Sequence, residues 1–355
     1  MKKKDQHLVP PTLGESAKGT DLFLGLRLAK MATNRLPEIK PNPAAFIPIP
    51  IETIPLDQPV PFPVYLKVSG QFILFRVQGD LLTDRRVKLL REKNVGLAFV
   101  PEHGWQVYMK SLEAEASEDP NTKSYTAERS ITRLRHLLVA YGQELERSKK
   151  LQQEHLGKLH NLGQRLAEGI TRDPALGAKL LRRHTDPTLY FVNHNVNVAI
   201  YCAAVAQKLS MSREDTKQLT FAALVHNVGN LFIPREILFK PTSLTRKEWE
   251  LMVTHPPMGA RLLQDLNAPK EVILTAMQHH ERVDGLGYPE NRPGVDIHLF
   301  AKITSIADVF DAMTSNSPYR AAMSAAEAVE KMSAMGGKFD PQILKMLSVV
   351  KQSGE

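Results

Sequence analysis

From residue 190 onward the sequence consists almost entirely of segments with helical periodicity. Apolar residues recur there three or four positions apart, and few strand signals interrupt them. The segments are NVNVAIYCAAVAQKL, TKQLTFAALVHNVG, RKEWELMVTHPPMGARLLQDL, KEVILTAMQHH, HLFAKITSIADVFDAMTS, SAAEAVEKMSAM and PQILKMLSVV. Because a helix with one apolar face must bury that face against another element, this succession predicts an all-α bundle over residues 190–350.

Three segments of different character precede the bundle. Residues 1–42 are polar and broken by prolines, which predicts a flexible arm. Residues 43–118 combine β-branched runs, two of which meet at Ser69-Gly70 as in a hairpin, with short helical stretches. They predict a small α/β domain with a sensory or docking role. Residues 119–189 predict a helical linker whose leucine stripe suits either a homodimer seam or packing on the bundle. The predicted fold class is α+β overall.

Composition and charge narrow the class of protein. The net charge of +8 is spread along the chain, and only 6% of residues are aromatic, so we predict no nucleic-acid partner. No apolar run is long enough to span a bilayer, which predicts that the chain is not transmembrane. The single cysteine, Cys202, lies in an apolar run and excludes an internal disulfide. These features together predict a cytoplasmic location.

Six side chains of metal-binding type interrupt the apolar helices of the predicted bundle. They are His194, His226, His255, His279, His280 and Asp308. A buried ionisable residue must be paired or must bind something. Imidazole together with carboxylate suits iron, manganese or zinc, and two such metals about 3.5–4 Å apart can clamp a phosphoryl group. The group therefore predicts a metal site of a kind that is able to bind a phosphoryl group.

Residues 279–289, HHERVDGLGYP, resemble the signature of the HD-GYP family of metal-dependent cyclic di-GMP phosphodiesterases. LVHNVGNLF, IADVFDAMTSNSPYR and KFDP are similar to further segments of that family. The resemblance implies an HD-type helical bundle, in which the six side chains hold iron or manganese. It also implies cyclic di-GMP and a diguanylate cyclase (GGDEF) domain as partners. The implied substrate contacts are Asp284, Gly285, Gly287, Tyr288 and Pro289 of the GYP loop, with Asp311 and Arg320.

The sequence departs from this family at four positions. Asn227 stands where the resemblance implies the bridging aspartate of the HD dyad, and Asn230 stands where it implies a lysine near the phosphate. Ser317 replaces an arginine, and Tyr190 replaces a glutamate that serves a third metal. An amide is neutral and offers one good oxygen, so it bridges two metals less well than a carboxylate. No catalytic residue is therefore assigned at Asn227 or Asn230.

Three functions remain open at this point. The first is a degenerate HD-GYP protein in cyclic di-GMP signalling, which binds nucleotide, metal or a diguanylate cyclase partner with little or no turnover. The second is an active phosphodiesterase that hydrolyses cyclic di-GMP to pGpG or GMP. The third is a structural interaction scaffold without enzymatic activity. The histidines favour a retained site, whereas Asn227, Asn230 and Ser317 favour the first function over the second.

Overall fold

The computed structural model describes residues 45–117, 127–181, 189–315 and 321–352. The predicted arm at 1–42 lies outside these ranges, and so do Ser317 and Arg320. The chain divides into two compact units, with the boundary between Tyr108 and Met109. The sequence predicts a domain boundary between residues 118 and 119. The boundary between the two compact units instead falls inside the helix Glu102–Ala116.

The first unit contains a four-stranded sheet. Its strands are β1 Phe46–Pro50, β2 Val64–Val68, β3 Gln71–Arg76 and β4 Leu97–Pro101. The strand order is β1-β4-β2-β3, and each of the three pairings is antiparallel. Its helices are α1 Asp84–Glu92 and the beginning of α2 Glu102–Ala116. The predicted small domain therefore mixes helices with an antiparallel sheet.

The hairpin and the core of this unit follow from local sequence. Ser69 and Gly70 both have positive φ, 49° and 81°, and so connect β2 to β3 with the twist that a two-residue hairpin requires. Alternation in β1 buries Ile47 and Ile49 on one face of the sheet. The Tyr108 hydroxyl donates a hydrogen bond of 3.0 Å to the Thr53 hydroxyl within the same core.

The second unit is helical throughout the residues that the structure describes. Its helices after α2 are α3 Ala127–Ser148, α4 Gln153–Arg172, α5 Pro174–Leu180, α6 Tyr190–Lys208, α7 Arg213–Val225, α8 Arg235–Leu238, α9 Arg246–Met252, α10 His255–Asp265, α11 Lys270–Gln278, α12 Leu299–Thr314, α13 Ala325–Ala334 and α14 Pro341–Gln352. Short 3-10 helices lie at Val228–Phe232 and Gly294–Asp296. No helix in the described ranges combines the length and apolarity needed to cross a membrane.

Packing in this unit centres on α6 and α7. Helix α6 contacts α7 and α12, while α11 contacts α7, α10 and α12. Helices α3, α4 and α5, from the segment predicted as a linker, belong to the same compact unit. Leu156, Leu159, Leu162, Leu166 and Ile170 form the buried face of α4, which packs on α6 and α7. This part of the predicted leucine stripe therefore packs against other helices of the same chain.

Candidate metal centre

The bundle brings all six predicted ligands together. His194 lies on α6 and Asp308 on α12, whereas the four other histidines lie at or next to helix ends. They form two triads, within each of which the ligand atoms lie within 4.8 Å of one another. The first triad is His194, His226 and Asp308, and the second is His255, His279 and His280. The ring centroids of His226 and His279 are 4.9 Å apart, so the triads are adjacent.

Three of the histidines are oriented by the same kind of hydrogen bond. In each of them Nδ1 pairs with the backbone carbonyl three residues earlier, at a helix end. The pairs are His226 with Ala223 at 2.7 Å, His255 with Met252 at 2.8 Å and His279 with Ala276 at 2.9 Å. Because the carbonyl only accepts, Nδ1 carries the proton, and Nε2 keeps its lone pair for the centre of the site.

The free Nε2 atoms are suited to a divalent metal. His226 Nε2 is buried and has no hydrogen-bond partner among the residues that the structure describes. The Nε2 atoms of His255 and His279 are 3.2 Å apart, as two lone pairs aimed at one point would be. Burial lowers the pKa of His255 to about 4, which keeps this imidazole neutral and able to ligate near pH 7. The donor set of imidazoles with one carboxylate fits iron, manganese or zinc.

His194 is held between two carboxylates. Its Nε2 lies 2.8 Å from Asp308 and its Nδ1 lies 2.8 Å from Asp311. Burial alone would lower the pKa of His194, but the two hydrogen-bonded carboxylates raise it to about 10. Burial would raise the pKa of Asp308, but the hydrogen bond with His194 holds that pKa well below its usual value. A metal that binds Nε2 of His194 must therefore displace a proton.

Asp311, predicted as a substrate contact, lies behind His194. Its side chain is 1% exposed. Besides His194, the carboxylate accepts hydrogen bonds from Asn197 at 2.9 Å and from the Ser315 hydroxyl at 3.0 Å. With its oxygens engaged and shielded from solvent, Asp311 orients His194 in this structure and does not present a surface to a substrate. This role was not predictable from sequence, because His194 and Asn197 lie on α6, far from Asp311 along the chain.

Of the residues that depart from the family pattern, Asn227 and Asn230 line one pocket, whereas Tyr190 contacts His194. Asn227 and Asn230 both line a pocket of about 80 Å³, which is also lined by residues of α3, α4, α6, α7 and α8 and by none of the six predicted ligands. The Asn227 amide nitrogen lies 3.5 Å from Asn195 Oδ1. Tyr190, at the implied glutamate position, places its ring parallel to that of His194, with centroids 5.9 Å apart. None of these three residues adds a carboxylate to the triads.

The GYP loop closes over the second triad. The Tyr288 ring stacks on His280, with centroids 4.7 Å apart and 23° between the planes. Burial raises the pKa of Tyr288, so its hydroxyl stays protonated. The Tyr288-Pro289 bond is cis. A Cβ at Gly287 would lie 2.4 Å from the backbone nitrogen of Arg282, which only glycine avoids. The loop therefore fits closely against the residues that follow His280.

The remaining two predicted loop contacts lie at its exposed turn. Asp284 receives two hydrogen bonds from the Arg282 guanidinium, at 3.0 and 2.5 Å, and these lower the pKa of Asp284. Asp284 also accepts the N–H of Leu286 at 3.1 Å. Gly285 has a φ of 75°, which favours glycine at this turn. Asp284 thus shapes the turn of the loop.

The GYP loop is anchored by Glu281, which was not among the predicted site residues. Glu281 is 3% exposed, and its carboxylate accepts the backbone N–H of Glu290 at 2.7 Å and of Arg292 at 3.0 Å. These bonds tie the far side of the loop to the end of α11, next to His279 and His280. The sequence feature that points to Glu281 is its position, directly after two histidines and before a glycine-rich turn.

Known proteins resemble this chain in sequence and in fold. Residues 170–343 match the family described as "HD domain". This part of the chain has an HD-type fold. In structure, the chain is similar to Bd1817, an HDG"Y"P protein of Bdellovibrio bacteriovorus, with a TM-score of 0.66 and 22% identity over 86% of this chain and 99% of that one. At this identity the likeness shows the fold alone. It confirms the predicted HD-type helical bundle within an α+β chain.

Curated relatives of the HD domain are named as phosphodiesterases. A cyclic di-GMP phosphodiesterase of Pseudomonas aeruginosa is 34% identical over 181 residues, which are 51% of this chain and 44% of that protein. The cyclic di-GMP phosphodiesterase response regulator RpfG of Xanthomonas campestris is 34% identical over 205 residues, 57% of this chain and 52% of the relative. The chain therefore spans about half the length of these relatives.

Proposed function

We propose that this protein is a degenerate HD-GYP protein that binds a cyclic dinucleotide, cyclic di-GMP, at a divalent-metal centre with little or no turnover. The proposal rests on the contrast between the complete set of ligand side chains and the residue at the bridging position. Six ligand side chains are assembled in two adjacent triads, whereas the place of the bridging carboxylate is held by the neutral amide of Asn227. Similarity to proteins named cyclic di-GMP phosphodiesterases supports the choice of nucleotide.

The two triads would hold the metal, with iron or manganese as the proposed ions. When bound, the metal supplies Lewis acidity toward a phosphate oxygen and toward a water molecule. The residues of this chain contribute orientation: Asp311 fixes His194, and backbone carbonyls fix His226, His255 and His279. Tyr288 closes one side of the second triad and keeps its hydroxyl as a donor for a phosphate or ribose oxygen.

Weak turnover follows from the chemistry of Asn227. A carboxylate can bridge two cations and offset their charge, whereas a neutral amide offers one carbonyl oxygen. Loss of even an outer partner of a metal site typically costs about 10- to 100-fold in affinity or activity. The complete set of histidines nevertheless supports a second candidate, an active phosphodiesterase.

The exposed side of the GYP loop supports a further part of the proposal, the docking of a diguanylate cyclase domain. Leu286, at the tip of the loop, is 71% exposed, and Val295, just beyond it, is 89% exposed. Apolar side chains that stand this far into solvent are available to a partner protein. A pull-down of a purified GGDEF domain that survives Leu286→Asp would contradict this role for the loop.

The test of the proposed function measures metal content, cyclic di-GMP binding and hydrolysis on one preparation of the full chain. We expect bound divalent metal and nucleotide binding in wild type, both lost in His279→Ala. His103→Ala, at an exposed histidine of the first unit, should change neither. Hydrolysis with multiple turnovers would replace this proposal with the active enzyme. Absence of both metal and nucleotide would instead favour the structural scaffold.

A further inference from the structure

An exposed tryptophan lies next to the GYP loop. Trp249, on α9, is 49% exposed, and its ring centroid lies 5.6 Å from that of Tyr288 at an interplanar angle of 75°. Tyr288 in turn stacks on His280 of the second triad. Three rings thus lead outward from the candidate metal centre to the solvent.

The position of Trp249 is fixed by the start of its helix. Thr245 and Glu248 form a capping box, in which the Thr245 N–H donates to Glu248 at 2.7 Å and the Glu248 N–H donates to the Thr245 hydroxyl at 3.4 Å. The Lys240 ammonium donates to the same Glu248 carboxylate at 2.5 Å. The indole therefore projects from an anchored turn of helix.

The ring geometry leaves a stacking surface open. In an edge-to-face contact one ring touches at most one face of the other, so Tyr288 leaves at least one face of Trp249 uncovered. Single exposed apolar side chains are common on protein surfaces and need no function. Trp249 differs from such residues because it contacts the ring that covers His280, beside the place proposed for a phosphate.

We propose that Trp249 and Tyr288 form a nucleobase subsite, in which a purine stacks on the open face of the Trp249 indole while its phosphate lies at the metal triads. The inference rests on the proposed function, since it requires a nucleotide at this centre. A flat purine matches an indole in shape and polarisability, and stacking of this kind tolerates different bases. The subsite therefore selects purine nucleotides over phosphate esters that lack a base.

The experiment compares two probes on the metal-loaded full chain, cyclic di-GMP and inorganic phosphate, by calorimetry. We expect Trp249→Ala to weaken cyclic di-GMP binding by about 5- to 150-fold, because stacking on an aromatic ring contributes that much per base. Phosphate binding should not change, because it involves no base. Trp249→Phe should recover most of the affinity for cyclic di-GMP. Leu251→Ala, at a partly exposed apolar residue of the same helix, is the matched control and should bind both probes as wild type does.

Fluorescence gives an independent readout. The chain has two tryptophans, and Trp105 is buried in the first unit. Emission that cyclic di-GMP quenches in wild type but not in Trp249→Ala therefore comes from Trp249. Equal affinity for cyclic di-GMP in wild type and Trp249→Ala, without quenching, would overturn the subsite and leave the proposed function standing. A wild-type protein that binds metal but no cyclic di-GMP would overturn both.

Discussion

Gly229 is the position where the smallest substitution should disturb the metal centre most. It lies in the 3-10 helix Val228–Phe232, which follows His226 and Asn227 and packs on α10. A Cβ at Gly229 would lie 1.9 Å from the carbonyl oxygen of His255 and 2.9 Å from the backbone nitrogen of Gly259. Because both neighbours are backbone atoms of one helix, relief requires α10 or the turn to move by roughly 1 Å.

We expect Gly229→Ala to lower the free energy of unfolding by about 3 kcal/mol or more, the upper part of the range for overpacked interiors. For a unit of this size, that loss corresponds to a fall of roughly 6–12 °C in Tm. The shift should also separate His255 from His279, whose Nε2 atoms are 3.2 Å apart, and so reduce metal content. Urea denaturation and metal analysis of the purified protein measure the two effects.

Gly157→Ala is the matched control. Gly157 is an exposed residue within α4, and a Cβ there would meet no atom within 4 Å. Replacement of an exposed helical glycine by alanine should stabilise the protein by about 0.5–1 kcal/mol and leave the metal content unchanged. If Gly229→Ala matched wild type in both stability and metal content, the close packing of this turn on α10 would be refuted.

Three further predictions concern carboxylate chemistry. Asn227→Asp should raise metal affinity by about 10- to 100-fold in competition with a chelator, and an unchanged affinity would mean that this position does not reach the metal. Burial raises the pKa of Glu146 above its unfolded value of about 4.5, so stability falls as pH rises from 4.5 through the folded pKa. Glu146→Gln should therefore stabilise the protein at pH 7 but not below pH 4.5, and a gain of equal size in acid would contradict the assignment. Glu281→Gln should lower the free energy of unfolding by about 1.5–3 kcal/mol, because one of the two backbone N–H groups loses its acceptor. Hydrogen exchange at residues 284–293 should become faster for the same reason. Unchanged exchange would exclude the anchoring role of Glu281.

Local patterns predicted much of the fold. The Ser69-Gly70 hairpin was predicted from sequence, and both residues have the positive φ that such a turn requires. Strand order was not predictable, because β4 pairs with both β1 and β2 across long stretches of chain. Such pairings depend on tertiary packing and leave no local signature.

The candidate site was likewise predictable from sequence only in part. Residue type and resemblance predicted the six side chains that the structure brings together in two triads, because an ionisable side chain inside an apolar helix needs a partner. The roles of Asp311 and Glu281 were not predictable, since each is defined by contacts with segments elsewhere in the chain or across the loop. The pocket lined by Asn227 was also not predictable, because it forms only where helices that are distant in sequence pack together.

The carbonyl groups that orient His226, His255 and His279 have a consequence for how this site can change over evolution. Ala223, Met252 and Ala276 support the imidazoles through main-chain oxygen atoms, which every amino acid carries. Substitution of their side chains leaves the acceptor in place as long as the helix ends persist. The orientation of these three imidazoles therefore depends on the path of the backbone and not on the identity of the supporting residues.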